Sequence, residues 1–352
     1  MEFGFSEDQL LFQSTLRDFL KKESPPDVVR ALWETETGRS PVLWRKLAEL
    51  GVPGLLVPAA RGGLGMDEVD AVLLMEEAGR AALAEPLVAT AAVGVPLLAA
   101  LGLDGWLERV AAGEALVAVG HPVAAFVADA HVADLLLLQS HGELHAVERA
   151  AVSLVHQPTS DPARRIYTVE WTPSRATCAA GGAAARALLD AALDRGALAC
   201  AAQLLGVGDR LLEMAVAHAC QREQFGRPIG SFQAVQHMLA NAKVRLEYAR
   251  PVVHRAAHSV ARRSAARALH VSHAKLAAGE AAALAARVAL QVHGAIGYTW
   301  EQDLHIWMRR AWSLELDWGA GAFHQRRVAG AVLAPGARIG PGCTFQGDDG
   351  DG

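Results

Sequence analysis

A short polar stretch between two apolar helical runs carries the residues best suited to hold a ligand. Arg222, Gln224 and Phe225 lie within four positions, and Gly226 and Gly230 break the chain around them. A guanidinium suits a pyrophosphate because its fork of N–H donors matches phosphate oxygens, and an aromatic ring suits a flat base or ring system. This stretch, the Arg222 hairpin (residues 222–233), therefore predicts a cofactor site; the alternative is an ordinary loop salt bridge at Arg222.

Composition limits what else the chain can be. Of its 352 residues 52% are apolar, the net charge is −5, and four cysteines are scattered without CxxC spacing. We expect two or three domains with a large core, no membrane span, no signal peptide, no nucleic-acid partner and a cytoplasmic location. His254 and His258 have zinc-like spacing but lack the glutamate of an HExxH site, so we predict no metal.

The order of the elements predicts a mainly α fold with a small central β-domain. Residues 1–112 have helical spacing of apolar side chains, and 113–182 hold short apolar runs separated by polar breaks, typical of a β-barrel-like domain. Residues 183–334 are Ala-rich and predict a C-terminal four-helix bundle, and the Gly/Pro/Asp-rich tail 335–352 predicts disorder. The four predicted bundle helices are 183–220, 231–263, 265–295 and 300–332.

Four stretches in this order resemble the acyl-CoA dehydrogenases, a family of flavoenzymes. They are FSEDQ at 5–9, LAELGV through GGLG to EEAGR at 47–80, REQFGRPIG with FQ at 222–233, and QVHGAIGY at 291–298 followed by MRR at 308–310. Each stretch alone is a weak signal, but all four in register span almost the whole chain and are highly specific.

The resemblance implies a bound FAD that lies between subunits. It assigns Arg222, Gln224 and Phe225 to the pyrophosphate and adenosine side of the cofactor, with Gln233 as a polar neighbour. Gln291 and Gly294 would contact the FAD of the neighbouring subunit, where a glycine permits close backbone approach. The alternative for Gln291 and Gly294 is a helix end with a glycine cap.

The catalytic base that the resemblance leads us to expect is missing. The family reaction needs a general base, normally a Glu directly before a Gly, about ten residues after the Met-Arg pair. Counting from Met308 leads to Trp318, followed by Gly319, and the Thr that usually comes next is Ala320. Asp317 is the nearest candidate for a displaced base, although adjacent helical residues point about 100° apart.

Other departures from the family pattern point the same way. One branch of the family carries its Glu on another helix, at positions equivalent to about Gly196 and Ala197, and neither can act as a base. Asp194 and Glu315 are close in sequence to one site or the other, but solvated or salt-bridged carboxylates are the simpler interpretation. The middle region also lacks the TEPxAGSD-like tract and the later Trp-Ile-Ser strand of the family.

Three hypotheses remain open at this stage. In the first, the chain is a base-lacking subunit. It would be similar to the small or β-type subunits of actinobacterial heteromeric enzymes that desaturate steroid side-chain and other bulky acyl-CoA thioesters. It would then form a hetero-oligomer with a Glu-bearing paralogue and pass electrons to an acceptor such as an electron-transfer flavoprotein. Otherwise it is a self-sufficient homo-oligomeric acyl-CoA dehydrogenase with a displaced base, or a non-redox scaffold subunit.

Overall fold

The computed structural model describes residues 4–337 and residue 340. Helices precede residue 112, short strands occupy 117–181, and helices return up to Val332. This is the mainly helical fold with a small β-region in the middle that the sequence predicts. The domain boundaries at 112, 182 and 334 remain a prediction, and most of the predicted disordered tail, 335–352, lies outside the described residues.

The N-terminal helices begin where the sequence places cap residues. Ser6 and Gln9 form a reciprocal capping box, in which each backbone N–H donates to the other side chain at 2.8 and 3.2 Å. The helices are α1 Glu7–Glu23, α2 Pro26–Trp33, α3 Pro41–Glu49, α4 Glu68–Arg80, α5 Val95–Ala100, preceded by a π-helical segment Val88–Gly94, and α6 Asp104–Ala111. Leu16 and Leu20, one turn apart on α1, are fully buried.

The middle region forms two small sheets. Its strands are β1 Val117–Val119, β2 Val127–Ala128, β3 Leu135–Ser140, β4 Glu143–Glu148, β5 Ser153–Gln157, β6 Ile166–Glu170 and β7 Cys178–Gly181. One sheet has the order β1-β3-β4-β7 and the other β2-β6-β5. The four leucines that open β3 are all buried, which is typical of a strand covered on both faces. The sequence did not predict β2 and β7, which are two and four residues long.

The C-terminal helices are α7 Gly182–Gln221, α8 Gln233–Ala261, α9 Arg267–His293, α10 Leu304–Leu316 and α11 Gly321–Val332. The prediction of one helix over 300–332 is therefore wrong. Trp318 and Gly319 have φ values of +53° and +100°, which a right-handed helix cannot accommodate. A Cβ atom at residue 319 would also lie 2.7 Å from a ring carbon of Phe323, so the break requires glycine there.

The chain divides into two compact units. The first contains the described residues of Met1–Pro26, Val72–Leu83 and Cys200–Gly352, and the second contains Asp27–Ala71 and Ala84–Ala199. Throughout the described part of the chain, helices fall short of the length and apolarity that a membrane span needs.

In the first unit, α4 crosses α7 with the two backbones in direct contact. A Cβ atom built on Gly206 would lie 1.8 Å from the carbonyl oxygen of Glu76, and one built on Gly79 would lie 2.0 Å from that of Gln203. Real Cβ atoms do not approach this closely. The crossing therefore depends on glycine at both positions.

A buried ionic network ties α8 to the same crossing. The carboxylate of Glu76 pairs with Arg250 and accepts a hydrogen bond from His254 Nε2 at 2.7 Å, assuming that this nitrogen carries the proton. Arg250 also donates to Asp209 of α7 at 2.6 Å. Because all of these groups are partly or fully buried, the paired arrangement replaces their lost hydration.

The second unit holds a buried polar cluster of its own. Arg39 forms an ion pair with Asp129, and both side chains are buried. Next to them, Glu85 accepts a hydrogen bond from the backbone N–H of Ser40 at 2.8 Å. Burial raises the pKa of Glu85 to about 7, in spite of the nearby Arg39.

Candidate functional site

The Arg222 hairpin is a tight turn that follows the end of α7. Two-residue strands at Glu223–Gln224 and Arg227–Pro228 pair with each other. Phe225 and Gly226 stand between them with φ values of +54° and +76°, as a type I′ turn requires. The N–H of Ile229 closes the loop by donating to the carbonyl oxygen of Arg222 at 2.8 Å. The hairpin is therefore a hydrogen-bonded turn with a defined backbone conformation.

Its functional side chains face outward. The ring of Phe225 is 93% exposed and stands edge-on to Phe232, with the guanidinium of Arg227 4.1 Å from the centre of the Phe232 ring. Arg222 is exposed and forms no salt bridge with any described residue, which disfavours the loop salt bridge as its role. An aromatic ring left in water and an uncommitted guanidinium together suit a ligand with a flat ring and an anionic group.

Gln233 and Gln224 have different surroundings from each other. Gln233 is the exposed first residue of α8, and Gln224 donates from Nε2 to the carbonyl oxygen of Glu223 at 2.8 Å. Gln236, which the sequence did not single out, fixes the hairpin to α8 by donating to the carbonyl oxygen of Gly230 at 2.9 Å.

The end of α9 carries the second predicted cofactor motif. Gln291 is exposed in its last turn, and the helix stops at Gly294, where φ is +64° and ψ is −140°. This backbone conformation is essentially restricted to glycine. A Cβ atom built on Gly294 meets nothing within 4 Å, so the conformation rather than lack of space requires glycine.

A pair of stacked histidines brings the two motifs together. The rings of His218 and His293 are 4.4 Å apart and nearly parallel. His218 lies one turn before Arg222, whose N–H donates to its carbonyl oxygen at 2.9 Å. The pKa of His218 is lowered by burial and then by His293 and Arg222, which favours a neutral ring in the stack. The structure therefore places the Arg222 hairpin and the Gly294 turn at one end of the helices of a single chain.

The expected base position is a buried, hydrogen-bonded turn. Trp318 is only 7% exposed, and its carbonyl oxygen lies 3.0 Å from His324 Nε2. Nδ1 of His324 lies 3.1 Å from the hydroxyl of Ser272. Burial, with a contribution from Lys275, lowers the pKa of His324 to about 4, so the ring is neutral at pH 7. The geometry then assigns its proton to Nε2, which donates to Trp318, while Nδ1 accepts from Ser272.

Lys275 holds the same turn from the other side. Its ammonium group, buried on α9, lies within hydrogen-bond distance of four backbone carbonyl oxygens: those of Leu314 at 2.8 Å, Glu315 at 3.0 Å, Asp317 at 2.8 Å and Gly319 at 3.3 Å. Because the group has three N–H donors, two of these oxygens share one donor. The carbonyls of Leu314 and Glu315 belong to the C-terminal turn of α10, where a cation also offsets the helix dipole.

Each candidate carboxylate has surroundings of its own. Asp317 Oδ1 accepts a hydrogen bond from the N–H of Trp318 at 3.2 Å, so this side chain caps its own turn. Glu315 lines a groove against α9. Asp194 is buried in the second unit, whereas Trp318 belongs to the first.

Sequence reasoning missed Lys275 and His324. A signal existed for Lys275, because Val271, Ala274 and Ala278 recur around it at helical spacing and place its side chain on the buried face. A lysine in that position must find partners inside the protein. No comparable signal marks His324, whose partners depend on how α9 and α11 pack.

Comparison with known proteins identifies the chain. A profile of the acyl-CoA dehydrogenase N-terminal domain matches residues 6–114, and one of the C-terminal domain matches residues 175–333. The protein is 34% identical over 308 residues to acyl-CoA dehydrogenase IpdE2 of Mycobacterium tuberculosis, an alignment that covers 87% of this chain and 91% of the relative. The chain belongs to the acyl-CoA dehydrogenase family.

Solved structures share the fold of this acyl-CoA dehydrogenase. The ChsE4–ChsE5 complex from Mycobacterium tuberculosis has a TM-score of 0.84 at 24% identity, covering 96% of this chain and all of the matched chain. The Tcur3481–Tcur3483 steroid ACAD variant has a TM-score of 0.83 at 24% identity, covering 92% and 97%. The family consists of oxidoreductases that act on CH–CH groups, which confirms the predicted enzyme class.

The donor set at the Arg222 end fits the cofactor that this family implies. FAD combines a pyrophosphate with two flat ring systems. The hairpin offers an exposed guanidinium and an exposed aromatic ring, and the glycine-dependent turn at Gly294 lies at the same end of the helices. Within the described part of the chain, no three His, Cys, Asp or Glu side chains are grouped to hold a metal ion.

Proposed function

We propose that this acyl-CoA dehydrogenase is the FAD-binding, base-lacking subunit of a hetero-oligomeric enzyme that introduces an α,β double bond into an acyl-CoA thioester. The observation that carries the proposal is the Trp318 turn. Lys275 and His324 hold this turn in a form that buries an indole where the family pattern leads us to expect a Glu. Arg222 and Gly294, the residues proposed for the cofactor, are meanwhile present.

The separate roles of the two subunits follow from the chemistry of the desaturation. A carboxylate of the partner subunit removes the proton from the α-carbon, and the hydride leaves the β-carbon, so that the product is an enoyl-CoA thioester. Bound FAD would accept that hydride and pass the electrons on to an acceptor such as an electron-transfer flavoprotein. A positioned base contributes roughly 10²–10⁴-fold to such a step, a contribution that an indole cannot supply.

The role proposed for this chain is to hold and orient the cofactor. Arg222 and Gln224 would bind the pyrophosphate side, Phe225 would cover the adenosine side, and Gln233 would add a polar contact. Gln291 and Gly294 lie beside the hairpin at the same end of the helices and would contact the FAD of the neighbouring subunit.

The similarity to the ChsE4–ChsE5 complex supports assembly with a different acyl-CoA dehydrogenase chain. The similarity to the Tcur3481–Tcur3483 steroid ACAD supports a bulky acyl group, such as a steroid side chain, as the substrate class. A paralogue encoded beside this chain, with Glu before Gly at the position of Trp318, is the partner to test first.

Co-expression tests the proposal. We expect the chain and its Glu-bearing paralogue to co-purify with flavin and to oxidise a steroid-side-chain acyl-CoA with a flavoprotein electron acceptor. The same complex with the paralogue's Glu replaced by Gln should keep its flavin and lose activity by at least about 10²-fold. Full activity of the purified single chain would refute the proposal, and a colourless complex would support the scaffold role instead.

Asp317→Asn separates this proposal from the displaced-base alternative. Asn keeps the oxygen that accepts from the N–H of Trp318, so the turn should be retained. We expect the complex to keep its activity. A loss comparable to that of the Glu→Gln partner would identify Asp317 as the base.

A further inference from the structure

A cavity of about 280 Å³, the Arg210 cavity, lies between α1, α4, α7 and α10, and all of its lining residues belong to the first unit. Its lining includes four cationic side chains, those of Arg17, Lys21, Arg80 and Arg210. Arg210 lies 11 residues before Gln221, the last residue of α7, which is about 16 Å along the helix axis. The cavity is therefore separate from the Arg222 hairpin, which follows α7.

The cationic side chains of the Arg210 cavity outnumber its carboxylates by two. Glu77 and Glu213 supply the carboxylates. Glu77 accepts hydrogen bonds from Nε and Nη2 of Arg17 at 2.9 and 2.6 Å, and Glu213 pairs with Arg80. The lining therefore keeps a charge of +2 at pH 7 that its own carboxylates do not balance.

Lys21 and Arg210 are the cations best placed to meet a ligand. The side chains of Lys21 and Asp18 are 67% and 77% exposed and 3.3 Å apart, so that this ion pair is weak. Arg210 lies 3.6 Å from Glu213, beyond the usual hydrogen-bond distance, and its guanidinium carbon lies 5.2 Å from the centre of the Trp307 ring. Arg210 therefore keeps N–H donors for an anion.

A buried hydroxyl group without a partner belongs to the same lining. Ser24 is 5% exposed, and its Oγ makes no hydrogen bond with any residue that the structure describes. The next residues along the chain, Pro25 and Pro26, have no N–H that could donate to it. Because an unpaired buried hydroxyl is costly, this group indicates a polar partner that the chain itself does not supply.

A phosphate monoester matches the charge and the donors of the Arg210 cavity. It carries a charge of about −1.5 to −2 at pH 7 and three acceptor oxygens. The guanidinium of Arg210 can donate to two of these oxygens, Lys21 supplies a point charge, and the Ser24 hydroxyl can donate as well. A carboxylate, with a single charge, would leave part of the excess unbalanced. Leu20 and Pro25 add apolar lining, which suits an organic group on the phosphate.

We infer that the Arg210 cavity binds a small organic phosphate monoester. The phosphate lies between Lys21, Arg210 and the Ser24 hydroxyl, and the organic group lies against Leu20 and Pro25. A phosphate in this position connects α1 to α7, so that binding stabilises the first unit by mass action. The inference depends neither on flavin binding nor on a catalytic partner.

Isothermal titration calorimetry of the full purified chain with phenyl phosphate tests the inference. We expect a saturable site with a dissociation constant at or below about 1 mM in low salt. Inorganic phosphate, which lacks the organic group, should bind at least about threefold more weakly, and phenol, which lacks the charge, should not bind. The inference would be overturned by an absence of saturable binding up to about 10 mM phenyl phosphate, or by inorganic phosphate that binds as tightly.

The variant K21Q/R210Q removes two charges from the cavity and should weaken phenyl phosphate binding by at least about tenfold. K22Q/R245Q is the matched control, because it removes two charges from exposed positions of the same unit outside the cavity, and its affinity should stay within about twofold of the wild type. Circular dichroism checks that both variants are folded. Equal affinities in the two variants would mean that phenyl phosphate binds elsewhere, for example at the Arg222 hairpin, and would overturn the inference.

Ser24→Ala provides a second readout. Since the hydroxyl has no partner in the ligand-free chain, its removal should leave the melting temperature of that chain equal to or above that of the wild type. The affinity for phenyl phosphate should nevertheless fall by about threefold or more. A lower melting temperature with unchanged affinity would show that the hydroxyl serves the fold, and would remove Ser24 from the site.

Discussion

The ammonium nitrogen of Lys275 lies 2.8 Å from the carbonyl oxygen of Asp317, directly before the tryptophan at the expected base position. A cation buried in α9 thus fixes the backbone that joins α10 to α11. The relationship explains how a non-glycine residue, Trp318, stays in the left-handed region with φ +53°.

Lys275→Met is expected to destabilise the protein by about 2–4 kcal/mol, because it removes a charged donor from buried carbonyl oxygens that have little access to water. Urea unfolding monitored by tryptophan fluorescence measures the change. Lys22→Met, at a position where the lysine side chain is 84% exposed, is the control and should stay within about 0.5 kcal/mol of the wild type. An effect of Lys275→Met as small as that of the control would show that the hydrogen bonds of Lys275 contribute little.

Gly206→Ala is expected to cost at least about 3 kcal/mol or to prevent folding, because the new methyl group would overlap the carbonyl oxygen of Glu76. Gly330→Ala is a matched control in α11, where a Cβ atom meets nothing within 4 Å and the loss of glycine should stabilise the helix by about 0.5–1 kcal/mol. Melting temperatures of the two variants should therefore move in opposite directions. A stable Gly206→Ala variant would contradict the backbone contact between α4 and α7.

The ionisation of the Glu85 carboxyl group is expected to make the second unit less stable as pH rises. Its pKa is raised to about 7 in the folded chain, so the folded state holds a proton that the unfolded state has released. This contribution is complete below about pH 4.5 and is lost as pH rises through about 7; its size is on the order of 3 kcal/mol.

The stability difference between the wild type and Glu85→Gln isolates this group, since other titrating residues cancel and the glutamine keeps an acceptor for Ser40. We expect the wild type to lose stability relative to Glu85→Gln between pH 5 and about pH 8, measured by denaturant unfolding at each pH. Glu114→Gln, an exposed site, should show a flat difference. A flat difference for Glu85→Gln would mean that the carboxylate ionises at its ordinary pKa.

Arg222→Ala is expected to weaken FAD retention by about tenfold or more, because it removes the guanidinium proposed to pair with the pyrophosphate. The flavin-to-protein absorbance ratio after gel filtration of the co-expressed complex measures the loss. Arg245→Ala removes an exposed arginine from the neighbouring α8 and should leave the ratio unchanged. Equal flavin content in both variants would remove Arg222 from the cofactor site.

The sequence was sufficient to predict the order of the elements. Helical spacing and cap residues are local signals, and the capping box at Ser6 appears as the spacing predicts. The predicted helix at 300–332 failed because apolar spacing continues across Trp318, while the break depends on φ values that follow from packing against Lys275 and Phe323.

The candidate site likewise contains residues that the sequence could reveal and residues that it could not. Arg222, Gln224 and Phe225 are close in sequence, so a short motif was enough to find them. Lys275 and His324 act on Trp318 from other helices, and only their three-dimensional arrangement shows which carbonyl each one meets. The stacking of His218 on His293, which joins the two cofactor motifs, likewise depends on how α7 and α9 end beside each other.

The glycine crossing of α4 and α7 limits how the sequence of this chain can diverge. The obstacle to a larger residue at position 79 or 206 is the backbone of the opposite helix, and no exchange of neighbouring side chains can move it aside. An ion pair such as Arg80 with Glu213, by contrast, can be replaced by a different pair without moving either helix. Variant libraries or distant homologues that keep this arrangement of helices should therefore retain glycine at 79 and 206 even where the charged residues around them have all changed.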